Sequence, residues 1–102
     1  MTHNEEFQER VRADRRLVIL RYLDEEPDGR MSVSLMVDAL DVMAHRVSRA
    51  TVMADACWLE EQGLLRLEYI QSVPMLRITS TGAEVARGVR LVPGVKRPAR
   101  RD

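Results

Sequence analysis

Residues 45–67, HRVSRATVMADACWLEEQGLLRL, hold a helix that runs straight into a strand. Ser48 is a side chain suited to cap a helix N-terminus, because its hydroxyl accepts backbone N–H bonds. Gly63 is the residue type that closes a helix in the left-handed conformation. Between them Val52, Ala56 and Leu59 share one face at helical spacing. After Gly63, LLRLEYI and PMLRIT read as two short strands around QSV. A helix leading directly into a hairpin makes the chain α+β.

Three more helices follow from the same signals. The first spans Glu5 to Glu26, and its later half, LVILRYL, is apolar nearly all round. That pattern suits a helix central to the fold or shared with a partner chain. EEPDGR ends it, since Pro27 and Gly29 do not continue a helix. The second helix begins near Ser32, with Val33, Met36, Val37 and Leu40 forming one apolar stripe. DVMAHRV breaks that phase and forms a turn. TSTGAEVARG opens the last helix, where Thr81 and Glu84 have capping-box spacing. At 102 residues the chain is one domain, placed at residues 1–90, with residues 91–102 as a basic C-terminal tail.

Aromatic residues make up only 4% of the chain, so its core is built from Leu, Val, Ile, Ala and Met. The formal net charge is zero, which provides no overall attraction to nucleic acid. A single cysteine rules out an internal disulfide and fits a reducing compartment. No apolar run approaches the roughly 20 residues of a membrane span. The polar, acidic start MTHNEEFQER is no signal peptide, so the expected setting is cytoplasm. Charge is uneven, however. Residues 84–102 carry six bases against two acids, and no acid lies between Arg87 and Arg101. RGVRLVPGVKRPARR reads as an extended or disordered tail. It is either an arm that lies on phosphates or an acidic partner, or a solubilising terminus.

The order helix, helix, turn, helix, hairpin, helix is that of the winged helix-turn-helix. VSRATVMADACWLEEQGLL, residues 47–65, is similar to the recognition-helix segment of ArsR- and MarR-type regulators, and ITSTG to the junction that closes the MarR-like wing. More closely, RRLVIL, HRVSR, WLEEQGL and VPGVKRP together resemble a family of small winged-helix proteins of Mu-like phages and prophages. The resemblance to ArsR- and MarR-type regulators covers about residues 15–90. It implies a three-helix core, a two-stranded hairpin wing, and a regulator or accessory factor that binds double-stranded DNA.

In such a fold the early outward residues of the third helix meet the bases. With Val52 inward, Ala50, Ala54, Cys57 and Glu61 point out and Met53 lies on the flank. Arg46 and Arg49 are the donors available to phosphate or guanine, and His45, Ser48, Thr51 and Met53 complete the expected contact set. Arg66 and Arg77 flank the hairpin, whose tip has no basic residue. Arg87, Arg90, Lys96, Arg97, Arg100 and Arg101 are the expected backbone contacts. The alternative is a protein-interaction module serving phage assembly or DNA packaging. There Ala50, Met53, Ala54 and Cys57 form a shallow apolar patch for another phage protein. Leu17, Ile19, Leu20, Tyr22 and Leu23 lie on more sides of the first helix than one small core uses. They mark either burial on two sides or a homodimer interface.

No other chemistry has a residue set. One Cys and two distant His do not make a metal site, and Cys57 reads as a small apolar filler. His45 and Ser48 lack a third group for nucleophilic catalysis. Glu60 and Glu61 point to different faces. There is no glycine-rich phosphate loop, so neither an enzyme nor a cofactor is expected. Trp58 is placed in partly buried packing. Asp55 either pairs with an arginine of the first helix or caps a backbone donor.

Overall fold

A computed structural model describes residues 2–99. The chain runs α1 (His3–Glu25), β1 (Arg30–Ser32), α2 (Val33–Val42), α3 (Arg49–Glu61), β2 (Leu65–Ile70), β3 (Val73–Ile78) and α4 (Ser80–Ala86). The strands form one antiparallel sheet in the order β1-β3-β2. The described residues are therefore α+β, with four helices around a three-stranded sheet.

The third strand is the first difference from the sequence reading, which has only a hairpin. Arg30–Ser32 is too short to show periodicity, and it forms because β3 offers an open edge. Met31 pairs with Leu76 and enters the core. Ser32 has two roles, since it pairs with Met75 and its hydroxyl accepts from Leu35 N to cap α2. The β2–β3 loop is also tighter than QSV. Ile70 pairs with Val73, and Gln71 and Ser72 sit at φ 49° and 67°. Positive φ at both central residues is the two-residue turn whose twist matches the strands.

The helix ends follow local chemistry. Thr2 caps α1 in a capping box with Glu5, so the helix starts before Glu5. It stops at Glu26, whose backbone is extended ahead of Pro27. Ser48 caps α3 by accepting from Thr51 N. At the other end Leu64 N donates to Leu59 O and Gly63 N to Glu60 O, the pair of bonds expected with a left-handed residue at Gly63. For α4 the cap is Thr79, not Thr81. Thr79 Oγ1 accepts from Gly82 N and donates to Gly63 O at 2.7 Å, so the α4 cap also locks the end of α3.

One core lies under α1, between α2, α3, α4 and the inner face of the sheet. Leu17, Ile19, Leu20 and Leu23 are all buried within their own chain. The expectation that they form a dimer interface is corrected accordingly. Burial on several sides by α2, β3 and α4 already uses their surface, and each fully buried aliphatic contributes about 1.5–3 kcal/mol. Of that set only Tyr22 keeps an accessible side.

The described part of the segment after α4 forms no helix or strand, turns at residues 87–90 and 93–95, and is docked on the domain. Val92 and Val95 pack against the core. Lys96 N donates to Ala13 O, and Arg16 donates to Gly94 O. Gly94 lies flat on the Trp58 indole at φ 95°, where an added Cβ would stand 2.7 Å from the ring. Nothing local in the sequence marks this docking, because Trp58 and Gly94 are joined only by tertiary structure. Among the described residues no helix is long and apolar enough to cross a membrane.

Candidate nucleic-acid interface

The α2–α3 turn is set by a left-handed residue that is not glycine. Ala44 has φ 66°, with Ala44 N donating to Asp41 O and His45 N to Leu40 O. This redirects the chain so that His45 Nε2 lies 2.6 Å from Asp14 Oδ2 on α1. Asp14 Oδ1 also accepts from Lys96 Nζ at 3.3 Å. Burial acts to raise the Asp14 pKa. Hydrogen bonds from His45 and Lys96, with their charges, outweigh it and hold the carboxyl below its ordinary 3.8.

The rotation of α3 is fixed by Asp55. This carboxylate is 3% exposed, and it pairs with Arg15 and, at 3.6 Å, with Arg16 of α1. Of the two roles open to it, pairing with the first helix is the one observed. Arg16 in turn stacks over Trp58, 3.8 Å from the ring centroid. With Val52, Asp55, Ala56 and Leu59 inward, the exposed face of α3 is Ala50, Ala54, Cys57 and Glu61. Met53 leans against the core instead of standing free.

The expected contact residues divide into engaged and open groups. His45 is held by Asp14, and its side chain is 11% exposed. Ser48 and Thr51 hydrogen-bond to each other at 3.1 Å at the start of α3. Arg46 is 87% exposed, with Asp41 at 3.2 Å. Arg49 is exposed and donates to Ser34 Oγ on α2 at 3.0 Å. In the tail Lys96 pairs with Asp14, Arg87 with Asp24 and Arg90 with Glu84. Arg97 has no ion-pair partner among the described residues and borders a groove of about 710 Å³ with Arg21 and Arg87. Arg100 and Arg101 lie outside the described residues. Among the described residues, three of the tail's bases are thus held by acids of α1 and α4, and Arg97 is not.

Arg30 is a basic residue that the sequence reading did not place. It pairs in register with Arg77, and Arg77 with Arg66, so three arginines form one row across a face of the sheet. Glu68 lies 3.4 Å from Arg77 and Asp28 3.3 Å from Arg30, while Arg66 is exposed with no such partner among the described residues. Like charges directly opposite one another destabilise a sheet. The row is visible only once β1 is known. The hairpin tip is apolar, with Tyr69, Ile70 and Val73 at 63%, 43% and 48% exposure. Among the described residues no group of three or more His, Cys, Asp or Glu is placed to hold a metal ion.

The chain is 42% identical over 85 residues to gp26 of Escherichia phage Mu, covering 83% of this chain and 88% of that protein. It belongs to the Mu gp26 family. A protein of Haemophilus influenzae is 42% identical over 65 residues, 64% of this chain and 63% of that one. The likeness to Mu-like phage proteins expected from RRLVIL, HRVSR and WLEEQGL is therefore real at the level of family. No family model matches the chain, and no solved structure matches it. In this member of the gp26 family Arg46, beside Asp41, and Arg49 stand exposed near α3, with Arg66 exposed on the sheet and Arg97 on the arm.

Proposed function

We propose that this protein is a winged helix-turn-helix protein that binds double-stranded DNA as a phage regulator or accessory factor. The observation that carries the reading is the uncovered side of α3. Ala50, Ala54 and Cys57 are small and exposed, and Arg46 and Arg49 stand at the N-terminal end of the same helix. Small side chains let a helix approach a groove closely, and the two arginines meet phosphate or guanine there. The N-terminal end of a helix favours anions as well. Arg66, with Arg77 and Arg30 beside it, supplies backbone contacts on the sheet. Base readout is sparse in this arrangement, so affinity rests on phosphates more than on sequence.

A second reading is favoured by the apolar hairpin tip. Tyr69, Ile70 and Val73 lie where a DNA-binding wing usually carries a base. With the small residues of α3 they suit a partner protein in phage assembly or DNA packaging.

Fluorescence anisotropy with labelled random duplex separates the two. The DNA reading predicts binding at low salt that weakens about tenfold to a hundredfold in Arg46→Ala/Arg49→Ala. The protein-partner reading predicts no binding to duplex at any salt. Substitution of Tyr69 and Ile70 by serine would then abolish capture of the phage partner.

A further inference from the structure

The hairpin leaves one edge of the sheet open. β2 is the last strand in the order β1-β3-β2, so only one of its sides is paired among the described residues. Leu64 O accepts from Thr79 N, on the β3 side. Backbone groups turn to alternate sides along a strand, so Leu65, Leu67 and Tyr69 present theirs to the open edge. One of these donors is already taken. Leu67 N donates to Glu60 Oε2 at 2.8 Å, from the end of α3. An open edge is a template for another strand, and a charged side chain placed on it is a guard.

Two side chains on the outer face beside this edge are incompletely paired. Arg66 is exposed, with no ion-pair partner among the described residues, and its in-register neighbour on β3 is another arginine, Arg77. Glu68 lies 3.4 Å from Arg77 Nε, with its side chain 34% exposed, and its Oε1 accepts no hydrogen bond among the described residues.

We infer that β2 pairs edge to edge with β2 of a second copy of the chain, antiparallel about a twofold axis at Leu67, and that Glu60 is the gate on this pairing. Charge selects the register. An axis at Arg66 sets Arg66 opposite Arg66, and an axis at Glu68 sets Glu68 opposite Glu68. Like charges directly opposite destabilise a sheet. Of the axes near the middle of the strand, the one at Leu67 sets Arg66 of each copy opposite Glu68 of the other, and the twofold repeats that pair. The same register faces Leu67 with Leu67 and Leu65 with Tyr69. These are the residues whose backbone groups are open, so each pair exchanges two hydrogen bonds. Tyr69, 63% exposed in the single chain, then lies beside Leu65 of the other copy. For Leu67 N to reach the second strand Glu60 must release it, and the two Glu60 carboxylates meet near the axis. Glu60 therefore keeps the pairing weak in the native chain. The inference does not rest on the DNA reading.

Light scattering on the full-length protein over a range of concentrations tests the gate. The native chain should show the 11.7 kDa single-chain mass except at high concentration. Glu60→Ala should dimerise about tenfold more tightly or more, since two edge donors are freed. Glu60 and Arg66 are exposed, so substitution at either should leave the circular dichroism unchanged. In the Glu60→Ala chain, Arg66→Glu should weaken the dimer about tenfold, and Glu68→Arg added to it should restore it. Amide exchange at Tyr69 should slow on dimerisation, because its N–H faces the open edge in the single chain. Register is read by oxidation in a Cys57→Ser background. An equal mixture of Arg66→Cys and Glu68→Cys chains should give the mixed cross-linked dimer ahead of either self-linked one. Like positions lie roughly 7–8 Å apart on the diagonal, and a disulfide spans less than about 7 Å. A single-chain mass for Glu60→Ala at all concentrations, a native dimer as tight as that of Glu60→Ala, a dimer indifferent to Arg66→Glu, or self-linking of Arg66→Cys as fast as its linking to Glu68→Cys would overturn the proposal.

Discussion

His45 Nε2 stands 2.6 Å from Asp14 Oδ2, which ties the turn before α3 to the first helix. Lys96 of the C-terminal arm reaches the same carboxylate. A residue expected on the DNA-facing side is thus a structural clamp, and Asp14 holds three parts of the chain together.

The clamp is sensitive to acid. Asp14 titrates below its ordinary 3.8 in the folded chain, so its stabilisation is full above that value and is lost as pH falls through the lower folded one. Asp14→Asn should therefore cost about 1 kcal/mol near neutral pH and little under strongly acid conditions. Urea unfolding of both proteins across a pH series reads this directly. Curves that stay parallel into acid would assign the effect to packing rather than to the charge.

Asp55 is a more severe case, because it is buried beside two arginines. Asp55→Asn keeps the shape but leaves Arg15 and Arg16 without a countercharge. The expected loss is about 3 kcal/mol, measured by denaturant unfolding. Trp58 fluorescence should shift as well, since Arg16 loses the partner that orients it over the ring. A loss below about 1 kcal/mol would mean that the Trp58 stack and solvent already satisfy the arginines.

Ala44 offers a gain. An alanine at φ 66° carries a steric cost that glycine avoids. Ala44→Gly should stabilise the fold by about 0.5–1 kcal/mol, and Ala44→Val should destabilise it by about 1 kcal/mol. Both should move the urea midpoint with an unchanged slope.

Gly82 allows no such freedom. A Cβ there would lie 1.9 Å from the carbonyl oxygen of Leu64, which accepts from Thr79 N. Gly82→Ala should cost about 3 kcal/mol or more and lower the thermal midpoint sharply, because backbone at the α3–β2 junction must move.

These positions also show where the sequence is readable. The ends of α3 are legible because Ser48 and Gly63 carry their own local chemistry, and the hairpin because its apolar residues alternate. β1 is not legible, since three residues hold no period and the strand exists only on the edge of β3. The turn at DVMAHRV is legible from its break in helical phase, but the left-handed residue within it is not, because alanine does not announce a positive φ as glycine would. Thr79 outcompetes Thr81 as a cap because it also reaches Gly63, a contact between distant parts of the chain. The candidate site is readable at Arg49, at the start of α3, and at Arg46, in the turn that precedes it. It is not readable at His45, Lys96 and Arg87, whose acidic partners lie far away in sequence. Arg30 joins Arg66 and Arg77 only through the unseen strand.

The central claim is that α3 and its flanking arginines contact DNA phosphates. Its most direct test is the salt dependence of binding to duplex DNA, taken as the slope of log affinity against log salt for the native chain and for Arg46→Ala/Arg49→Ala. The account predicts a clear negative slope in the native chain. In the variant the slope should be shallower, by about one unit for each phosphate that an absent arginine would have neutralised. Identical slopes in the two proteins, or no binding at low salt, would contradict it.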